Sequence, residues 1–308
     1  MSPSSWGLNA RQAWRVANAR SGLLRQLPAL FKLRIGLVIS LTALAGAAVQ
    51  PGRGPGATAL AVLFLAVLVA SAAAGAFNQW WEADLDSRMT RTRARPFASG
   101  ALEPHAGWLV LIGVMALAAG LAAWRATNAL AAVHALAGAF VYALVYTVWL
   151  KRRNWCNIVV GGLAGSFAVM AGAAAVDPAP ALQTLLLALV LFLWTPPHFW
   201  SLAIAFRDDY AAAGVPMLPV VKGDRVTARA ISAHAWALLV LTVALGVLMG
   251  SVVTTLLAAG GGAWFIVEAM RLQRELTRRR AMRSFAASLL ELSLVLAGVL
   301  IEALRVAV

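Results

Sequence analysis

Residues 58–86 read TALAVLFLAVLVASAAAGAFNQWWEADLD. No charge interrupts the run from Thr58 to Trp81, and then three acids, Glu82, Asp84 and Asp86, fall within five residues. A helix rises ~1.5 Å per residue, so about 20 uncharged residues cross a hydrocarbon core of about 30 Å. A surface helix of a water-soluble protein would carry a polar stripe along one side, and this run has none. The stretch predicts a membrane-spanning helix with a carboxylate cluster at one end.

The rest of the chain repeats the first half of that pattern. Of its 308 residues, 61% are hydrophobic and 12% charged, against about 25% charged in an ordinary soluble domain. Nine apolar segments can be read, at 35–50, 58–78, 106–124, 128–150, 156–176, 181–205, 231–249, 251–269 and 286–304. They predict an all-α, polytopic membrane protein with nine transmembrane helices. Gly260-Gly261-Gly262 falls inside the eighth segment and is expected to loosen it or to admit a close helix contact.

The connections alternate in charge. Of the 26 lysines and arginines, 23 lie in the N-terminal segment and in every second loop; only Arg53, Arg125 and Arg305 lie on the other side. Basic residues concentrate on the cytoplasmic side of membrane proteins, so the N-terminus and the basic loops are expected in the cytoplasm. The net charge of +14 then reflects orientation and attraction to anionic lipid, and no nucleic-acid partner is implied. Residues 1–27 are read as a cytoplasmic basic segment and 28–308 as one intramembrane domain. Nothing in residues 1–34 resembles a cleaved signal. The single Cys156 excludes an intramolecular disulfide, and His105, His134, His198 and His234 lack metal-ligand spacing.

Acids are scarce, twelve in all, and they cluster where charge is costly. Asn78, Glu82 and Asp86 recur every four residues and so share one helix face; Asp84 points elsewhere. One carboxamide and two carboxylates are hard oxygen donors of the kind Mg²⁺ takes together with substrate phosphates. Arg91 and Arg95 follow in the same loop, and guanidinium groups grip phosphate oxygens in a fork. A second pair, Asp208 and Asp209, closes the sixth apolar segment. Upstream of it, Pro196-Pro197-His198 interrupts an apolar run, which predicts a bent helix with the histidine at a cavity wall.

These motifs resemble the UbiA-type intramembrane prenyltransferases. The resemblance runs from about residue 28 to the C-terminus. It rests on Asn78-x-x-x-Glu82-x-x-x-Asp86 with Arg91-Thr92-x-x-Arg95-Pro96, and on Lys32-Leu-Arg34, Trp149-Leu-Lys151-Arg152 and Asn157-Ile-Val-Val-Gly161-Gly162. Thr195-Pro-Pro-His198-Phe-Trp200 and Asp208-Asp209-Tyr210…Gly214-Val-Pro216-Met217-Leu-Pro219-Val are similar to the branch that farnesylates heme. Two features depart from the family pattern: the first acid is Glu82 rather than aspartate, and the second motif is an adjacent pair rather than a spaced one.

The resemblance implies transfer of a farnesyl group from farnesyl diphosphate to a vinyl group of heme B, in a bacterial inner membrane, with the site facing the cytoplasm. It implies Mg²⁺ on Asn78, Glu82, Asp86, Asp208 and Asp209, and diphosphate on Arg91, Arg95 and Lys151. His198, Arg34, Arg152, Arg207, Tyr142 and Tyr146 become candidates for heme contact; His198 would ligate iron or accept a proton. Tyr142, Tyr146, Trp194 and Phe199 are expected to line the cavity, and a downstream heme-modifying membrane enzyme is an expected partner. A quinone-precursor prenyltransferase of the same fold, or a heme carrier or transporter, is the competing reading. Confinement of the polar chemistry to one end of the helices argues against transport.

Overall fold

The computed structural model describes residues 26–306, so the expected N-terminal segment 1–27 falls almost wholly outside it. Within that range the chain is built of helices. The long apolar ones are α1 (Leu33–Val49), α2 (Ala57–Trp81), α4 (Gly107–Ala126), α5 (Ala129–Phe140), α7 (Leu163–Val176), α8 (Leu182–Ala205), α11 (Asp224–Leu248), α12 (Val252–Arg274) and α13 (Arg278–Val306). Eight of the predicted spans are helices long and apolar enough to cross a membrane; the other, α1, has 17 residues. Short helices fill the polar ends: α3 (Ala83–Ser87), α6 (Asn157–Gly161), α9 (Arg207–Ala212) and α10 (Leu218–Lys222).

The helices form two groups that meet where α7 packs on α8 and where α1 packs on α8 and α13. One contains α1, α2, α4, α5 and α7; the other contains α8, α11, α12 and α13; α1 touches α7, α8 and α13. The α1–α7 crossing is close because two glycines face backbone. A Cβ on Gly172 would lie 1.7 Å from the Ala43 carbonyl oxygen, and one on Gly46 would lie 2.1 Å from that of Val169. Small residues let membrane helices approach in this way, where packing and not water exclusion drives association.

One open alternative is decided. The triple glycine does not loosen α12, which runs unbroken through it; a Cβ on Gly261 would stand 3.1 Å from the Glu291 Cα of α13, so the glycines serve close packing. Pro196 and Pro197 lie inside α8, which runs on to Ala205. Beyond Phe140 the fifth helix continues as a π-helix, Val141–Leu150, whose widened turns include Lys151 N–H to Tyr146 C=O at 2.9 Å. Such i→i+5 stretches are rare and recur at functional sites.

Candidate active site

The helix carrying the first acidic motif breaks inside it. Glu82 has φ −101° and ψ 14°, ends α2, and starts α3. Asn78, Glu82 and Asp86 are nonetheless enclosed together, each no more than 2% exposed. Each has its own cation. The Lys32 ammonium donates to Asn78 Oδ1 at 2.6 Å, Lys151 to Glu82 Oε2 at 2.5 Å, and Arg95 to Asp86 Oδ2 at 2.7 Å. Asn78 Nδ2 donates to Glu82 Oε2 at 2.9 Å and to Thr147 Oγ1 at 3.0 Å, which fixes the amide orientation. Thr92 reaches back to the Asp86 carbonyl, folding the loop after α3 over the acids.

Lys32 has no assigned role in the sequence reading, and it is central here. It alone among the described non-glycine residues has positive φ, +48°. Its ammonium donates to Tyr142 Oη at 2.7 Å, and its stem lies against Gly75, where a Cβ would come within 3.3 Å. Enclosure drives this ammonium well below the ordinary lysine range, and Arg95 pushes the same way. The Tyr142 and Tyr146 rings stack 5.7 Å apart along the π-helix, with Lys32 over the first and Lys151 over the second. The only sequence signal for Lys32 was its place in the Lys-Leu-Arg motif; its partners lie 46 and 110 residues away.

These groups stand at one end of a cavity of about 360 Å³. Its wall includes Lys32, Asn78, Arg91, Arg95, Tyr142, Tyr146, Lys151, Phe199 and Tyr210 at the polar end, and small or branched apolar residues such as Ile35, Ile39, Val67, Ala70, Ala164 and Ala168 elsewhere.

The second acidic pair is near but separate. Asp209 accepts from Thr90, and Arg91 donates to Tyr210 Oη at 3.3 Å, so α9 is tied to the loop after α3. Asp208 is exposed. Among the described residues no three His, Cys, Asp or Glu side chains converge closely enough to hold a metal by themselves. The expected five-residue metal set is therefore not assembled, because the acids of the first motif are turned onto their own cations. The donor chemistry still suits Mg²⁺: Glu82 Oε1 is a buried hard oxygen with no hydrogen-bond partner among the described residues, and this ion completes its shell with water and substrate phosphate.

Other candidates fall elsewhere. Asp84 points away from the site, as the spacing predicts, and pairs with Arg152 through contacts of 2.7 and 3.1 Å. That guanidinium holds the Asp84 carboxyl below its usual value, and leaves Arg152 engaged rather than open to a propionate. Arg207 stands 3.6 Å from Asp224, and Arg34 is exposed beyond the cavity. His198 and Trp194 do not line the cavity. Thr195 and Phe199, four residues apart, take the cavity face of α8, and a helix turns His198 about 100° away from Phe199. His198 thus faces α13, where Trp194 Nε1 also donates to the Ser288 carbonyl at 2.7 Å.

A family model described as the UbiA prenyltransferase family matches residues 39–295. Two proteins of Paramagnetospirillum magneticum, called protoheme IX farnesyltransferase 2 and protoheme IX farnesyltransferase 1, are 51% and 49% identical to this chain. The alignments cover 91% and 86% of it, and 98% and 93% of theirs. Among solved structures, one of a digeranylgeranylglyceryl phosphate synthase aligns with TM-score 0.73 at 15% identity, covering 92% of this chain and 99% of that one. A UbiA homologue from Archaeoglobus fulgidus bound to DMAPP and Mg²⁺ aligns with TM-score 0.64 at 12% identity, covering 88% and 99%. The structural likenesses speak for the fold alone.

Proposed function

The chain belongs to the UbiA prenyltransferase family, and from that premise we propose that it transfers the farnesyl group of farnesyl diphosphate to a vinyl group of heme B, giving heme O. The observation that carries this reading is the joining of an apolar cavity to a buried cluster of acids and cations. An isoprenoid chain fits the first and a metal-bound diphosphate fits the second. We read α1 as a ninth span, the N-terminus as cytoplasmic, and the site as facing the cytoplasm of a bacterial inner membrane, as the 23-to-3 division of basic residues predicts.

Asn78, Glu82 and Asp86 would hold Mg²⁺, with Asp208 and Asp209 brought in from α9; bound there, the ion would neutralise charge on the leaving diphosphate. Arg91, Arg95 and Lys151 supply fixed positive charge where negative charge develops as the C1–O bond of the farnesyl donor breaks. The allylic cation left behind is sheltered from water by the apolar wall, and the faces of Tyr142, Tyr146 and Phe199 stabilise it through cation–π contact. The vinyl group then attacks C1, and water adds to the resulting cation and loses a proton.

Mass spectrometry of hemes from membranes with and without the protein tests this. A farnesylated heme is expected with the wild-type chain and not with Asp86→Ala. Its absence from the wild-type sample rejects the reading.

A further inference from the structure

The prenyl cavity stops at a common depth on four helices. Its deepest wall residues are Ile39 on α1, Val67 on α2, Ala135 on α5 and Ala168 on α7. About one turn further along the same faces come Ala43, Leu63, Ala131 and Ala171, each with no measurable exposure. These four pack in one cluster with Val67 and Ala135. Three of them are alanines. Leu63 alone of the four has a side chain reaching beyond Cβ, and it closes the space between the helices where the cavity ends.

Leu63 also stands in phase with the wall. Val67, Ala70, Ala74 and Asn78 line the cavity at steps of three and four, and one more step of four back from Val67 reaches Leu63 on the same face. Its surroundings have little room to yield, because α1 and α7 meet backbone to backbone where Gly172 faces Ala43. The depth matches a length. Val67 precedes Asn78 by 11 positions of unbroken helix, a rise of about 16 Å. A farnesyl main chain has eleven carbon–carbon bonds, and at the reach of an extended chain they span about 13 Å. With C1 beside the acid cluster, the third isoprene unit ends at Val67. A fourth unit adds about 5 Å, close to the rise of one helix turn, and falls on Leu63.

We propose that Leu63 determines specificity for the prenyl donor by stopping the tail at three isoprene units. The inference rests on the heme-farnesylating reading and adds to it a reason for the length of the donor. Leu63 touches neither the diphosphate nor the reacting carbon; it acts only on the far end of the hydrocarbon. Cutting it back to alanine extends the cavity by one turn along the same stripe. Adding bulk at Ala135, on the opposite wall of the floor, shortens it.

The test uses the full chain in lipid nanodiscs with heme B and Mg²⁺, supplied in turn with geranyl, farnesyl and geranylgeranyl diphosphate. Prenylated hemes are quantified by mass spectrometry, and kcat/KM is compared between donors. Wild-type protein is expected to favour farnesyl over geranylgeranyl by at least about tenfold, the low end for a misfit of one methylene in an apolar pocket. Leu63→Ala should raise the geranylgeranyl-to-farnesyl ratio about tenfold, and Ala135→Val should raise the geranyl-to-farnesyl ratio by a similar factor. A fold merely loosened by either change slows all donors together and leaves the ratios where they were. Equal use of farnesyl and geranylgeranyl by the wild type, or a wild-type ratio in Leu63→Ala, overturns the proposal. If Leu63→Ala is inactive, Ala135→Val decides, and an unchanged ratio there overturns it. Farnesylated heme from the wild type in any of these cases leaves the heme-farnesylating reading standing. A wild-type chain that prenylates heme from none of the three donors overturns both.

Discussion

Glu82 and Glu291 are both glutamates with no measurable exposure, and the bundle treats them oppositely. Glu82 has Lys151 on one oxygen and Asn78 beside it; only its second oxygen is bare. Glu291, in the middle of α13, has no partner among the described residues on either oxygen. An uncompensated charge at that depth is expensive, and nothing nearby sustains one. The contrast separates acids held ready for exchange from an acid merely enclosed. At the Glu82 end each of Asn78, Glu82 and Asp86 already holds a cation of this chain, so on the proposed reading a metal–diphosphate pair would enter by displacement, the metal on the oxygens and the freed cations on the phosphates.

The contrast can be broken at either pole. Lys151→Met leaves the Glu82 carboxylate enclosed without its cation, and breaking a buried pair from one side costs about 3–5 kcal/mol. Thermal unfolding in detergent should show that loss, and Lys151→Met combined with Glu82→Gln should recover much of it. A double variant as unstable as the single one would mean that the pair is not coupled. Glu291→Met removes a buried carboxyl with unmet hydrogen bonds and should stabilise the protein by about 1–3 kcal/mol, with heme farnesylation unchanged; a lower melting temperature would place a partner on Glu291. The smallest effect is expected at Arg152, whose pairing with Asp84 is well formed but solvent-exposed, with side chains 38% and 52% accessible. Such pairs contribute about 1 kcal/mol or less, so Arg152→Gln should melt within that margin of wild type.

The helices were legible because bilayer thickness turns hydropathy into length, and the segments at 58–78 and 181–205 lie within α2 and close to α8. Spacing by four also brought Asn78, Glu82 and Asp86 together despite the break at Glu82. What the residues concealed was direction. Phase along α8 decides whether His198 or Phe199 meets the cavity, and only the neighbouring helices set that phase. The pairing of Lys32 with Asn78 and Tyr142 joins segments far apart in sequence, so no local pattern announces it. The triple glycine allowed two readings, loosening or close contact, and the reason for close contact lies across the interface, in the backbone of Glu291.

The contact of Gly172 with Ala43 fixes one more quantity. Where two backbones touch, no layer of side chains remains to repack, so α1 and α7 cannot be drawn closer by any change of rotamer. α1 contributes Ile35 and Ile39 to the cavity wall, and α7 contributes Ala164 and Ala168. On the proposed reading, the spacing of α1 and α7, held by main chain, would limit the girth of the hydrocarbon tail on this side of the cavity.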